Sequence, residues 1–482
     1  MKCDRLPALL VAGAMLSGVL ALAAPAAGES DLQLVQAARS RDWDTVTALL
    51  RRGADADAPQ ADGATALHWA AHWNDLEAVD RLLAAGANVN AENALRATPL
   101  WVACADRNTA VVERLLGAGA DPNRALRSGE TLLMRCASTG DPAAVRALLA
   151  HGADVDAGEP SRGQTALMWA AANRRPAVTR VLLEHGAAVG LRTRTVRQLR
   201  GVGLQSTTSP AGATFFDAGG FTALLFAARH GDIESARLLL DAGADLEGPA
   251  ADGNSPLVLA AVSGNARLAE FLLERGADPH AAGAGYNALH AAVLRADADL
   301  LQALLAAGAD PDARLTRSTP VPRWTYQYVF TLREKGGTPL LLAAKYLEPE
   351  LMRLLTAAGA DPLLTFDDGT TALMAAVGLR LSRATTRRSR LIAPELVRAE
   401  WAGEDRVLAA VGAAVDAGAA EVIDTANGAG DTALHGAVQR GFLAVADLLV
   451  AHGADLDMEN RRGETPRALI DAARNAAEAG GN

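Results

Sequence analysis

His68 and His72 stand four residues apart in TALHWAAH (65–72), a spacing that puts two imidazoles on one helix face and could hold a metal ion. A zinc hydrolase of that pattern needs a glutamate directly after the first histidine, and Trp69 stands there instead. No metal site is expected. His151, His185 and His452 each precede a glycine, where an imidazolium would favour the negative end of a helix, so they read as structural. The Gly-x-Gly stretches at 201–203, 283–285 and 428–430 do not follow strands, and no Gly-Lys-Ser/Thr phosphate loop or Gly-x-Ser-x-Gly elbow occurs. Neither a catalytic residue nor a cofactor is expected from these patterns. Two other groups could recognise rather than react. Trp324, Tyr326, Tyr328 and Phe330 alternate in WTYQYVF, as on one edge of a strand, and could cover the protein's own flank or accept an apolar partner strand. Arg380, Arg383, Arg387, Arg388 and Arg390 could grip phosphate, anionic lipid or an acidic protein, or form a solvated loop.

What positions these residues is a period. A GAD-like tripeptide recurs at Gly53, Gly86, Gly119, Gly152, Gly186, Gly243, Gly276, Gly308, Gly359, Gly418 and Gly453, and its commonest spacing is 33 residues. Each unit carries a threonine that can cap a first helix, often before proline, as in Thr98-Pro99. An alanine pair such as Ala70-Ala71 then keeps that helix thin. A Leu-Leu pair such as Leu82-Leu83 marks the core of a second helix, and the glycine ends it in the left-handed conformation. One such unit cannot bury its own apolar face, so neighbours must stack.

At TALH (65–68), TPLW (98–101), TPLL (338–341) and TALH (432–435) the chain resembles the ankyrin-repeat family. The resemblance implies an all-α fold, a solenoid of about twelve stacked helix-turn-helix units with hairpin-side fingers, spanning residues 27–482 as one domain. It also makes His68 a structural histidine. Departures at that position, where Met, Leu, Val or Trp stands in other units, loosen an inter-repeat hydrogen bond without breaking the stack. The resemblance further implies that residues just after the alanine pair contact partners. Those of recognition type are His72, Trp73, Asp106, Arg229, His230, Arg295, Tyr346 and Arg440, which vary between units while the scaffold positions do not. Cys104 and Cys136 fill alanine slots in adjacent units. With stacked helices ~8–10 Å apart, the two are expected to be free thiols and no disulfide is expected.

The period breaks three times. Extra residues enter between units near 190–220 and 313–337, and between the two helices of one unit near 379–406. These inserts carry +3, +4 and +3, together +10, against −10 for the whole chain, so the repeat body carries −20. An acidic body is not built to coat nucleic acid, and no nucleic-acid partner is expected.

Lys2 and Arg5 precede an apolar run from Leu6 to Ala24 and the small residues Ala24-Pro25-Ala26, the pattern of a secretory signal peptide, 1–26. The mature chain is expected in the periplasm or the medium, soluble rather than integral to a membrane, and monomeric. The function expected is a non-catalytic exported scaffold that binds an unidentified protein through its concave face and inserts. Two alternatives stand beside it: an effector or envelope adaptor whose basic inserts bind anionic lipid or polysaccharide, and an enzyme with a site between insert and groove.

Overall fold

A computed structural model describes residues 29–202, 213–317, 320–321, 334–379 and 403–479. The chain groups into two compact units, one formed by the described residues up to Arg194 with Phe221–Asp245, the other by Thr195–Gly220 and the residues from Leu246 on. The aromatic row Trp324, Tyr326, Tyr328 and Phe330 and the cluster Arg380, Arg383, Arg387, Arg388 and Arg390 lie outside the described residues.

In the first unit, helices pair in chain order: Glu29–Arg39 with Trp43–Arg51, Ala66–His72 with Leu76–Ala84, Pro99–Asp106 with Thr109–Gly117, Leu132–Thr139 with Pro142–Ala150, Ala166–Ala172 with Pro176–Glu184, and Ala223–His230 with Ile233–Asp241. Within the unit, first helices pack on first helices of the neighbouring pair and second helices on second helices. The second unit repeats the pattern from Pro256–Ser263 to Leu443–Ala451 and ends on Pro466–Ala479.

Local chemistry sets each pair. Thr98, Thr131 and Thr165 accept the amide of the third residue of the first helix, while Asp75, Asp141 and Asp232 do the same for the second. Gly86 ends its helix at φ +89°, and the amides of Gly86 and Ala87 return to Leu83 O and Leu82 O, each at 3.0 Å. The alanine pairs are fully buried, as at Ala70-Ala71, Ala170-Ala171 and Ala260-Ala261. Of the Leu-Leu pairs, Leu82, Leu148 and Leu182 are fully buried but Leu83, Leu149 and Leu183 only half so. Val79, Val145 and Val178, three or four residues earlier, complete the buried stripe.

Neighbouring pairs are also tied by polar bonds. Asp57, Asn90 and Asn123 accept the backbone amides of Asn88, Asp121 and Asp154 at 2.6, 2.8 and 2.8 Å, each amide lying one unit further on. Glu247, Asp312 and Asp424 do the same for Asp278, Asp361 and Asp455 in the second unit. Three histidines add a second ladder: His68 Nε2 meets Ala97 O at 2.9 Å, His290 Nε2 meets Gly337 O at 3.3 Å, and His435 Nε2 meets Glu464 O at 3.0 Å.

Cys104 and Cys136 form a disulfide, against the expectation of free thiols. The expectation took the distance between helix axes for the distance between Cα atoms. Cα atoms sit about 2.3 Å off the axis, so facing residues of two thin helices come closer than the axes do. Here they are 5.0 Å apart, within bonding reach. The bond joins two units, those of Trp101 and Met134, in which the histidine of the ladder is missing.

The first and second inserts meet in a small sheet, a departure from an all-helical reading. Strands β1 (Val196–Val202) and β2 (Ala213–Ala218) form an antiparallel hairpin, and β3 (Pro320–Val321) pairs with the other edge of β1 through Gly201 and Val202. At the third insert the described chain resumes at Gly403, and a second helix runs Glu404–Asp416.

Two outcomes follow. Burial holds His68 and His290 neutral, pushing each from 6.5 down to about 4. The unfolded chain therefore takes up these protons first, so their contribution is full above pH ~6.5 and is lost as pH falls towards ~4. Urea midpoints measured across that window should fall for the wild type and fall less for His68→Ala/His290→Ala; equal slopes would contradict the assignment. The disulfide closes a sequence separation of 32 residues, so its loss in Cys104→Ser/Cys136→Ser should cost about 3–4 kcal/mol. Urea unfolding of oxidised protein and variant measures this, and identical curves would count against the bond.

Candidate partner-binding surface

Residues just past each alanine pair fall at the C-terminal end of a first helix, where the last carbonyls lack intrahelical partners. That constraint decides which of the expected contact residues remain available. Arg295 Nη1 donates to Val262 O at 3.2 Å and Arg440 Nη2 to Gly378 O at 2.9 Å, each reaching back one unit. Arg175 Nε and Asn108 Nδ2 do the same to Ser138 O and Ala71 O, at 3.1 and 2.7 Å. Side chains from two positions, the end of a first helix (Arg295, Arg440) and the residue just before a second helix (Asn108, Arg175), thus serve the end carbonyls of the preceding first helix. An arginine at the expected contact position is therefore not by itself a recognition signal. Gly264 is fitted to this arrangement. It lies at φ +78°, and a Cβ there would stand 2.0 Å from Arg295 Nη2.

Tyr346 is likewise engaged. Its hydroxyl donates to Glu334 Oε1, which also forms an ion pair with Lys345, and both charged side chains are almost wholly buried. Glu334 lies at the trailing end of the second insert, so this pair fastens the insert's return to the first helix of the next unit.

The remaining expected residues lie in the first unit. His72 and Trp73 end the helix Ala66–His72, with ring centroids 4.7 Å apart, and Trp69 stacks on Trp73 at 6.5 Å. His72 Nδ1 meets Asp106 Oδ2 of the next unit at 2.7 Å, with the two side chains 27% and 16% exposed. Arg39 and Arg41 come from the preceding unit, their guanidinium carbons 5.6 Å from the Trp69 ring and 5.3 Å from the Trp73 ring. Trp73 Nε1 is buried and has no hydrogen-bond partner among the described residues. Further along, Arg135 lies 4.9 Å from the Trp101 ring and pairs with Glu130 at 2.6 Å. Burial raises the Glu130 carboxyl above its ordinary value despite that partner.

Arg229 is exposed and His230 half-buried at the end of Ala223–His230. The Arg229 guanidinium lies 5.9 Å from the Phe221 ring, and Phe221 packs against Phe226 at 5.3 Å. Burial, then the neighbouring charges of Arg229 and Arg174, hold the His230 imidazole below its ordinary value.

The structure therefore gathers His72, Trp73 and Asp106 into one cluster, leaves Arg229 and His230 in another, and assigns Arg295, Arg440 and Tyr346 to cohesion within the second unit. Sequence reasoning missed Trp69, Arg39 and Arg41. The signal for Trp69 was its place directly after the TALH motif, one turn before Trp73. His151, His185 and His452 bond back to the carbonyl four residues earlier at 2.8, 2.8 and 2.9 Å, as structural residues do. Among the described residues no group of three or more His, Cys, Asp or Glu is placed to hold a metal ion. Nor is any helix long and apolar enough to cross a membrane.

Family models described as ankyrin repeats (3 copies) match residues 34–125, 100–193, 195–283 and 250–315, and one described as ankyrin repeat matches 429–461. Among solved structures, the human ASB11 ankyrin repeat domain aligns at 27% identity with a TM-score of 0.41, over 51% of this chain and 98% of its own. Comparison with curated proteins finds no match.

Replacing Arg295 with Ala should cost about 1 kcal/mol through the lost bond to Val262 O. Gly264→Ala should cost more, because it adds a left-handed alanine and displaces the same guanidinium. Chemical denaturation measures both; no loss in Arg295→Ala would return that residue to the recognition surface.

Proposed function

From the premise that this chain belongs to the ankyrin-repeat family, we propose that it is a non-catalytic, exported scaffold that binds a protein partner. The observation that carries this reading is the cluster of Trp69, His72, Trp73 and Asp106 with Arg39 and Arg41 at the ends of adjacent first helices. Stacked indoles flanked by guanidinium groups are the residue types that dominate protein interfaces.

Export is supported by the Cys104–Cys136 bond, because such bonds persist in oxidising compartments. Together with the signal-like segment 1–26 it favours the periplasm or the medium. A second reading, in which the inserts meet an anionic lipid or polysaccharide surface, is favoured by the hairpin. Leu199 and Phe215 pair directly across it, are 53% and 59% exposed, and have Arg197 5.0 Å from the Phe215 ring.

Cross-linked capture from the exporting cell should recover a defined protein with the wild-type chain and lose it, by about tenfold or more, with Trp73→Ala. Unchanged helicity would show that the variant still folds. Equal capture by both chains would defeat the reading. Sedimentation with anionic vesicles that survives Trp73→Ala and disappears at high salt would favour the second one.

A further inference from the structure

The turns between the two helices of each pair carry a second feature of the first unit. Each such turn needs one residue in the left-handed region. Glycine fills it at Gly140 (φ +83°) and Gly231 (φ +73°), but arginine does so at Arg107 (φ +61°) and Arg174 (φ +56°), where it is disfavoured. Arg107 and Arg174 are exposed, and their backbone amides close the turn on Cys104 O and Ala171 O. Their guanidinium groups have no ion-pair or hydrogen-bond partner among the described residues, so no side-chain bond within the fold accounts for either. The turn between them is also covered by a cation. Arg175 extends back over Gly140, where an added Cβ would lie 2.5 Å from its Cδ, and donates to Ser138 O. The next turn ends the row with Arg229 and His230, the latter within the field of Arg174 and Arg229.

Four successive pairs therefore place a cation at the same end: Arg107, the guanidinium of Arg175, Arg174, then Arg229 beside His230. The acids nearby are committed to backbone or to histidine. Asp141 accepts the amides of Ala143 and Ala144, Asp232 that of Ser235, and Asp106 meets His72.

We infer that this row receives an acidic, extended segment of the protein partner, laid across the turns of these four pairs, with one carboxylate of the segment to each turn. The inference rests on the protein-binding reading above and deepens it by giving the partner's chemistry. The spacing is fixed by geometry. Packed helices repeat at roughly 8–10 Å. A chain in the extended polyproline-II form advances about 3.1 Å per residue with about three residues per turn, so acids at every third position share one face at the matching repeat. At Arg107 and Arg174 the partner need not displace a side-chain bond, since neither guanidinium has one to give up, and Arg175 donates to Ser138 O through Nε alone.

The test uses fluorescence anisotropy with the full chain and a labelled twelve-residue peptide carrying glutamate at every third position among glycine and serine. Comparison peptides carry glutamine at those positions, or the same four glutamates in one block. The spaced peptide should bind about tenfold or more tightly than the glutamine peptide, more tightly than the block, and progressively less as salt rises. Arg107→Glu/Arg174→Glu should remove that preference while thermal unfolding stays unchanged. Equal binding of spaced and blocked peptides would overturn the inference, as would an unaltered preference in the charge-reversed variant. So would binding of phosphatidylglycerol vesicles, lost in that variant, with no binding of any peptide. If peptide selectivity fails while Trp73→Ala still abolishes capture of a cellular partner, this inference falls and the protein-binding reading stands.

Discussion

Everything in each unit depends on how closely two first helices approach. Alanine at two consecutive positions leaves almost nothing between the backbones, and the 5.0 Å separation of Cys104 and Cys136 Cα atoms shows how little space remains. Close approach is what lets an aspartate or asparagine of one hairpin reach the amide of the next, and lets a histidine imidazole span from Thr65 to Ala97 O. Side chains larger than cysteine at the paired positions would push the helices apart and break the polar ladders together with the packing. The ends of the first helices inherit the same closeness: an arginine of one pair can lie over the glycine turn of the previous one.

That geometry also reinterprets the chain's charge. The repeat body is acidic at −20 by sequence, yet a good share of its carboxylates are not a surface field. Asp57, Glu247, Asp312 and Asp424 accept amides of the following pair, and Asp75, Asp141, Asp232 and Asp297 cap second helices. A carboxylate that accepts backbone N–H groups is a structural part with a formal charge. The cations are less committed, and in the first unit they concentrate at the turns and around the indoles of Trp69 and Trp73. Recognition potential therefore lies with arginine and tryptophan, while the acids mostly hold the scaffold.

The repeat itself was legible in the sequence because its requirements are local. A cap, a thin helix, a leucine stripe and a left-handed glycine each demand a residue type at a fixed offset, and the structure places them there. Features that depend on two units at once were harder to read. The disulfide depends on the Cα separation of facing positions, and axis spacing misjudges it. Arg295 and Arg440 look variable along the chain because the carbonyls they serve can instead be met from the residue before the second helix, as by Asn108 and Arg175. Tyr346 and Lys345 gave no sign of meeting Glu334 across the end of an insert. The hairpin formed by VRQLRGV and ATFFDA lacks clean alternation, and its pairing with Pro320–Val321 spans more than a hundred residues, beyond any local rule.

The most direct test of the account is native-state hydrogen exchange of the oxidised chain, followed peptide by peptide. The account predicts the slowest exchange in the first helices that flank the disulfide, Pro99–Asp106 and Leu132–Thr139, with slow exchange also at the amides of Asn88, Asp121 and Asp154 that cross between pairs. Exchange at those sites as fast as in the exposed hairpin of β1 and β2 would contradict it, because the close contact between first helices would then not be what holds the structure.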